Sequence, residues 1–233
     1  KIRCTMTDMP APYCMINDNV IMSLFIINII GMSYVLLMNG TNIFETFKSH
    51  FYYNRRSAPF NNRTYITRIC NMLMYIQTIL YSSILIMNFF MQDSYKITEE
   101  NSTLLLGTIM AVIGGVLFLK RIAYSIVNKI LFTANKATEW KGVYLFTIKM
   151  TGFALAPAVV TVLFLPGLHI NYALYYTILI VIVYVCIIIN SLIKIIFTKK
   201  RNCLDIFLYL CALEFLPFAM AWKFIEQLSD FII

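Results

Sequence analysis

Two ionisable side chains stand inside long apolar runs, and both are expensive to keep there. Glu214 lies near the centre of the run 204–225, with Pro217 three residues later and Trp222-Lys223 where the run should surface. A charged side chain at the middle of a bilayer costs roughly 2.5 to 3.5 kcal/mol on insertion scales. Glu214 should therefore be protonated, paired, or turned toward a wet cavity. Lys149 is about six residues into the run 143–165, and Glu214 about ten into its own, both counted from the same side. At 1.5 Å per residue their depths are roughly 9 Å and 15 Å, a difference a lysine side chain can cover if the two helices are neighbours. Pro157 and Pro217 would kink their helices and free the carbonyls of Phe153 and Leu213. The chemistry open to such a region is a proton or cation relay through Glu214, or a pocket for a polar headgroup with Lys149 tuning the carboxylate. The structural alternative is a snorkelling Lys149 and a neutral or paired Glu214 that fixes helix register.

Other chemistry finds no footing. Only His50 and His169 are present, neither beside a candidate nucleophile, so metal-hydrolase and Ser-His arrangements are not expected. Gly114-Gly115 sits in an apolar run without the lysine of a phosphate-binding loop. No metal and no cofactor is expected, and the chain is not read as an enzyme. Cys4 and Cys14 could close a short loop as a disulfide on an oxidising side of the membrane, or remain free thiols. Cys70, Cys186, Cys203 and Cys211 read as small buried hydrophobes.

The elements that would position Glu214 and Lys149 follow from composition. With 60% hydrophobic and 13% charged residues over 233 positions, the chain falls outside the range of soluble domains. It reads as an all-α polytopic membrane protein: an extracytoplasmic segment 1–19, then a six-helix transmembrane bundle over 20–233. The expected spans are 20–38, 69–90, 103–119 with a helical extension to 132, 143–165, 172–196 and 204–225. Asn39-Gly40 is expected to end the first helix, with a short amphipathic interfacial helix opening at Asn42. Gly107, Ala111 and Gly115 recur at intervals of four in the third span, a stripe that permits close helix packing, within the chain or between chains. Trp222 and Lys223 read as an interfacial anchor.

The connections after the odd-numbered spans hold thirteen basic residues against four on the other side. By the positive-inside rule both termini lie outside the cytoplasm. The net charge of +8 is thus a matter of topology, and its interruption by apolar runs gives no continuous face for nucleic acid.

The second half of the chain, through Lys149-Met150-Thr151-Gly152 with Pro157 and Cys211-Ala212-Leu213-Glu214-Phe215-Leu216-Pro217 with Lys223, resembles a family of uncharacterised multi-pass inner-membrane proteins of Bacteroidetes-type bacteria. The resemblance implies a bacterial inner-membrane location and a helical fold, and it carries no activity. The functional expectation is an inner-membrane subunit or scaffold of a larger complex, partnered by the lipid bilayer and other membrane proteins, in envelope assembly or protein export. The alternative is a small proton- or ion-coupled transporter or channel built on Glu214.

Overall fold

The structure is a computed structural model that describes residues 15, 18–51, 65–93, 99–131, 134–164, 170–196 and 216–232. It is helical throughout these residues. The elements are α1 (Asn19–Phe51), α2 (Tyr65–Asp93), α3 (Glu99–Leu131), α4 (Ala134–Phe164), α5 (Ile170–Ile196) and α6 (Leu216–Ile232). Five of them contain a stretch long and apolar enough to cross a membrane: Asn19–Met38, Arg68–Phe90, Ser102–Ile126, Gly142–Phe164 and Tyr172–Asn190. Of the expected sixth span, residues 204–215 lie outside the described residues, and α6 holds the remainder in a helix of 17 residues.

Two helices differ from the sequence expectation. Helix α1 does not stop at Asn39-Gly40 but continues without interruption to Phe51, over 33 residues. A glycine costs about 1 kcal/mol in a helix interior, whereas an established helix gains a further hydrogen bond with each residue added, so one unfavourable residue need not end it. Helix α4 likewise starts at Ala134, inside the stretch 133–142 that reads as a polar break. At 1.5 Å per residue, α1 and α3, with 33 residues each, reach about 50 Å and outrun a hydrocarbon core of ~30 Å.

Helices α1 to α5 run in alternating directions, and contacts at each end show it. At one end Asp18 meets Ser102, Phe25 packs on Tyr81 and Phe164, and Phe89 and Phe90 lie against Trp222. That places the start of α1, the end of α2, the start of α3 and the end of α4 together. Toward the opposite end Val35 packs with Cys70, Met74 and Phe153. Helix α2 is the centre of the bundle, packed by α1, α3 and α4, while α5 lies on α4 and α6 on α3. The main core joins Ile21 and Phe25 of α1, Leu80, Ile84 and Met87 of α2, Leu105 and Ile109 of α3, and Leu155, Val159 and Leu163 of α4. A second cluster ties Leu117 and Tyr124 of α3 to Tyr144 and Ile148 of α4 and Tyr184 and Ile188 of α5.

The outer surface is as apolar as the core. Leu37 is 85% exposed, and Ile27, Ile30, Met72, Leu104, Phe118 and Leu119 are exposed with it. An aqueous surface would not carry such a coat, and hydrocarbon would favour it. Polar side chains turn inward instead: Gln77, Thr78 and Ser83 of α2, Ser102 and Lys120 of α3, and Thr147 of α4 are all buried.

Candidate functional site

Lys149 sits on α4 and does reach a neighbouring helix, but the group it meets is neutral. Its ammonium donates to Oδ1 of Asn71 on α2 at 2.6 Å. Asn71 is three residues into the apolar stretch of α2 and Lys149 seven into that of α4, or roughly 4.5 Å and 10 Å of helix rise from the same end. Helical side chains lean toward their own N-terminus, which here is that end, so the lysine stem descends to the amide. Glu214 and the rest of 197–215 lie outside the described residues. Among the described residues no carboxylate stands inside any of the five apolar stretches, which carry Arg68, Lys120, Arg121 and Lys149.

The next turn of α4 explains how the two helices come so close. Gly152 faces Thr78, and a Cβ there would lie 3.2 Å from the Thr78 Cα, with the Thr78 hydroxyl closer still. Thr78 places that hydroxyl 2.9 Å from the Met74 carbonyl of its own helix and 3.2 Å from the Ile148 carbonyl of α4, so its proton can serve either. One residue back, Gln77 donates its amide to the Met32 sulfur of α1 at 2.7 Å. Helix α2 is thus tied by polar contacts to both neighbours where water is scarce and such groups are costly to leave unmatched.

Pro157 lies inside α4. It cannot donate to Phe153, and close by the Tyr176 hydroxyl of α5 donates to the Ala154 carbonyl at 3.1 Å. A phenol serves here a stretch of helix whose own ladder is interrupted. Tyr176→Phe is expected to cost about 0.5–1.5 kcal/mol, read as a lower midpoint in detergent unfolding, with no loss of accumulated protein. Pro217 falls in the first turn of α6, where a missing backbone donor is tolerated.

Lys120, which reads from the sequence as part of a basic connection, is buried within α3 at 1% exposure. Tyr124, one turn on, packs with its ring tilted 51° against that of Tyr144 of α4, 4.6 Å between centroids. At the far end Asp18 caps α1: Oδ1 accepts from the backbone N–H of Val20 at 2.9 Å and Ile21 at 3.4 Å. Its other oxygen accepts from the Ser102 hydroxyl of α3 at 2.7 Å. Trp222 packs on Phe89 and Phe90 at 5.5 Å from each, with Lys223 exposed beside it. Asn71, Thr78, Ser102 and the buried Lys120 were not singled out by sequence reasoning. The usable signal for the first two was helical: Asn71 and Thr78 are seven residues apart and share a face.

The stripe of Gly107, Ala111 and Gly115 faces away from the bundle. All three are exposed, and a Cβ built at Gly107 or Gly115 would meet nothing within 4 Å. Gly114, seven residues on from Gly107 and about 20° from it around the helix, borders that face and meets Ile79 at 3.6 Å. Cys4 and Cys14 lie outside the described residues, while Cys70 is a buried free thiol and Cys186 an exposed one. Among the described residues no three of His, Cys, Asp and Glu gather as a metal site would require.

Residues 21–225 match the family described as Domain of unknown function (DUF4271). The chain belongs to the DUF4271 family. The match takes in all five apolar stretches except the first two residues of α1, together with Lys149, Asn71 and Glu214. Asp18, the cap of α1, falls just before the DUF4271 region. No curated protein and no solved structure matches the chain.

Proposed function

We propose that this DUF4271 protein is a non-enzymatic integral subunit or scaffold of a larger complex in the bacterial inner membrane, serving envelope assembly or protein export. In this reading a sixth crossing runs through 204–225, and both termini lie outside the cytoplasm. The observation that carries the proposal is the outward face of α3. Gly107, Ala111 and Gly115 give a helix backbone unobstructed approach, and nothing within 4 Å covers either glycine among the described residues. In lipid, helices associate through close packing because the hydrophobic effect no longer distinguishes one apolar surface from another. A small-residue face turned toward lipid therefore fits a second membrane helix better than it fits the interior of its own bundle.

The test is the mass and composition of the particle released by mild detergent with the chain tagged at its C-terminus. Stoichiometric partner proteins are expected, and they should be lost when Gly107→Leu and Gly115→Leu are combined, while the chain itself stays folded. A bare monomer or homodimer would count against the subunit reading. A second reading, a proton- or ion-coupled transporter using Glu214, draws support from the buried polar contacts of Lys149 and Thr78 between α2 and α4. Under it, Glu214→Gln abolishes a pH-dependent flux without reducing the amount of protein.

A further inference from the structure

We infer that the seam between α2 and α4 at Arg68, Asn71 and Lys149 binds the phosphate of an anionic phospholipid headgroup. The inference is independent of the subunit reading and rests on what these groups offer. Lysine has three N–H donors and no acceptor, so its 2.6 Å contact fixes the Asn71 amide with the oxygen toward Lys149 and its two N–H groups turned elsewhere. The ammonium keeps two donors beyond that bond. Among the described residues no acceptor stands against the Asn71 amide nitrogen. Arg68, one turn nearer the end of α2 and on the same face as Asn71, brings five more donors and a second charge. Everything the cluster presents is a donor, and its two formal charges are positive.

Placement selects the ligand. Exposure rises through the cluster: Lys149 and Asn71 are half-buried and Arg68 is exposed. Arg68 opens the apolar stretch of α2, the level at which a helix meets headgroups, and Lys149 leans back toward that level. Gly152 of α4, one turn deeper than Lys149, meets Thr78 of α2 and locks the spacing of the two helices, so the seam does not depend on the ligand to form. This is also the end of the bundle that carries the basic connections, where anionic lipids meet membrane proteins through pockets between helices. A desolvated ammonium held by one neutral amide gains most from a full negative charge, and a phosphodiester supplies that charge with two unesterified oxygens for the three side chains.

The experiment places the full chain in nanodiscs of phosphatidylcholine with and without phosphatidylglycerol and counts bound lipid by native mass spectrometry after release into detergent. Phosphatidylglycerol should be retained in preference to phosphatidylcholine. Lys149→Met and Arg68→Gln should each weaken retention roughly fivefold, at about 1 kcal/mol for each basic residue near a charged surface, and together more than tenfold. Arg68 is exposed, so Arg68→Gln tests the site even if Lys149→Met fails to fold. Glu214→Gln should leave retention unchanged; an increase would mean that this carboxylate already occupies the ammonium and would overturn the inference. So would equal retention of the two lipids, unchanged retention in Arg68→Gln, or displacement of the lipid by inorganic phosphate added to the nanodiscs, which would assign the groups to a free anion instead.

Discussion

Gly152→Leu is expected to remove folded protein from the membrane, with any surviving fraction unfolding far below the wild type. The reason is that the obstruction is backbone. A Cβ at position 152 would sit 3.2 Å from both the Cα and the Cβ of Thr78, closer than nearly all real contacts, and no rotamer of Thr78 moves its Cα away. Helix α4 would have to withdraw from α2, the central helix of the bundle. Withdrawal loosens the Thr78 contact to the Ile148 carbonyl and the Lys149 contact to Asn71 together with the packing around them. Overpacking alone costs roughly 1–3 kcal/mol, and each of the two interhelical hydrogen bonds lost adds about 0.5–1.5 kcal/mol, so Leu should cost ~2–6 kcal/mol while Ala stays near the lower figure. At roughly 2–4 °C per kcal/mol for a chain of this size, the Ala variant would lose several degrees of midpoint in detergent. Gly114 is the control, since a Cβ there meets only the flexible end of Ile79 at an ordinary 3.6 Å. Gly114→Ala should be neutral or slightly stabilising through helix propensity. Wild-type accumulation and midpoint for Gly152→Leu would mean that α2 and α4 do not meet here.

What the sequence discloses about this fold is where chain can enter lipid. Long uncharged runs are visible one residue at a time, and the five apolar stretches of α1 to α5 overlap closely with the runs expected from hydropathy. Where helices stop is harder to see, because the stop signals are local and the helix is cooperative. Asn39-Gly40 and the Asn42/Glu45 pair have the form of an end followed by a new start, but the backbone runs through both to Phe51. Lys120 shows a related problem in charge. The helical period carries α3 past the Lys-Arg pair, and the helix ends at Leu131, close to the expected 132, but charge alone does not show that Lys120 turns into the bundle.

The site was legible by half. Lys149 draws attention because a cation within an apolar run is costly, and it does make a contact between helices. Its partner could not be read the same way. Matching charge to charge leads to Glu214, which lies outside the described residues, while Asn71 has no charge and lies one turn inside its span. The stripe on α3 shows a different limit. A repeat of four residues defines a face of the helix, but it does not say which way that face looks or where its edge meets a neighbour. Gly114 borders Ile79 at one edge of the stripe, while Gly107, Ala111 and Gly115 are exposed. Only the neighbours decide this, and neighbours are a property of the assembled bundle.

Asp18→Ala is expected to cost roughly 2–4 kcal/mol and to act at a distance in sequence, loosening α1 from α3. Asp18 is 5% exposed and Ser102 fully buried, so neither can fall back on water. Loss of the carboxylate strips the cap from the N–H groups of Val20 and Ile21, worth about 0.5–2 kcal/mol, and leaves the Ser102 hydroxyl without the oxygen it serves 2.7 Å away, worth about 1–3 kcal/mol. Ser102→Ala removes only the second contribution, and does so from the donor side. The two substitutions should therefore be strongly non-additive, with the double variant little worse than Asp18→Ala alone. Asp18→Asn separates the roles: an amide oxygen can still cap α1 and its NH2 can donate to Ser102, which must then accept where it had donated, so its loss should not exceed that of Ser102→Ala. Detergent unfolding of the four variants measures the cycle. Strict additivity of Asp18→Ala and Ser102→Ala would show that the cap and the interhelical bond are separate events, and would remove Asp18 as the group through which the start of α1 is held to the start of α3.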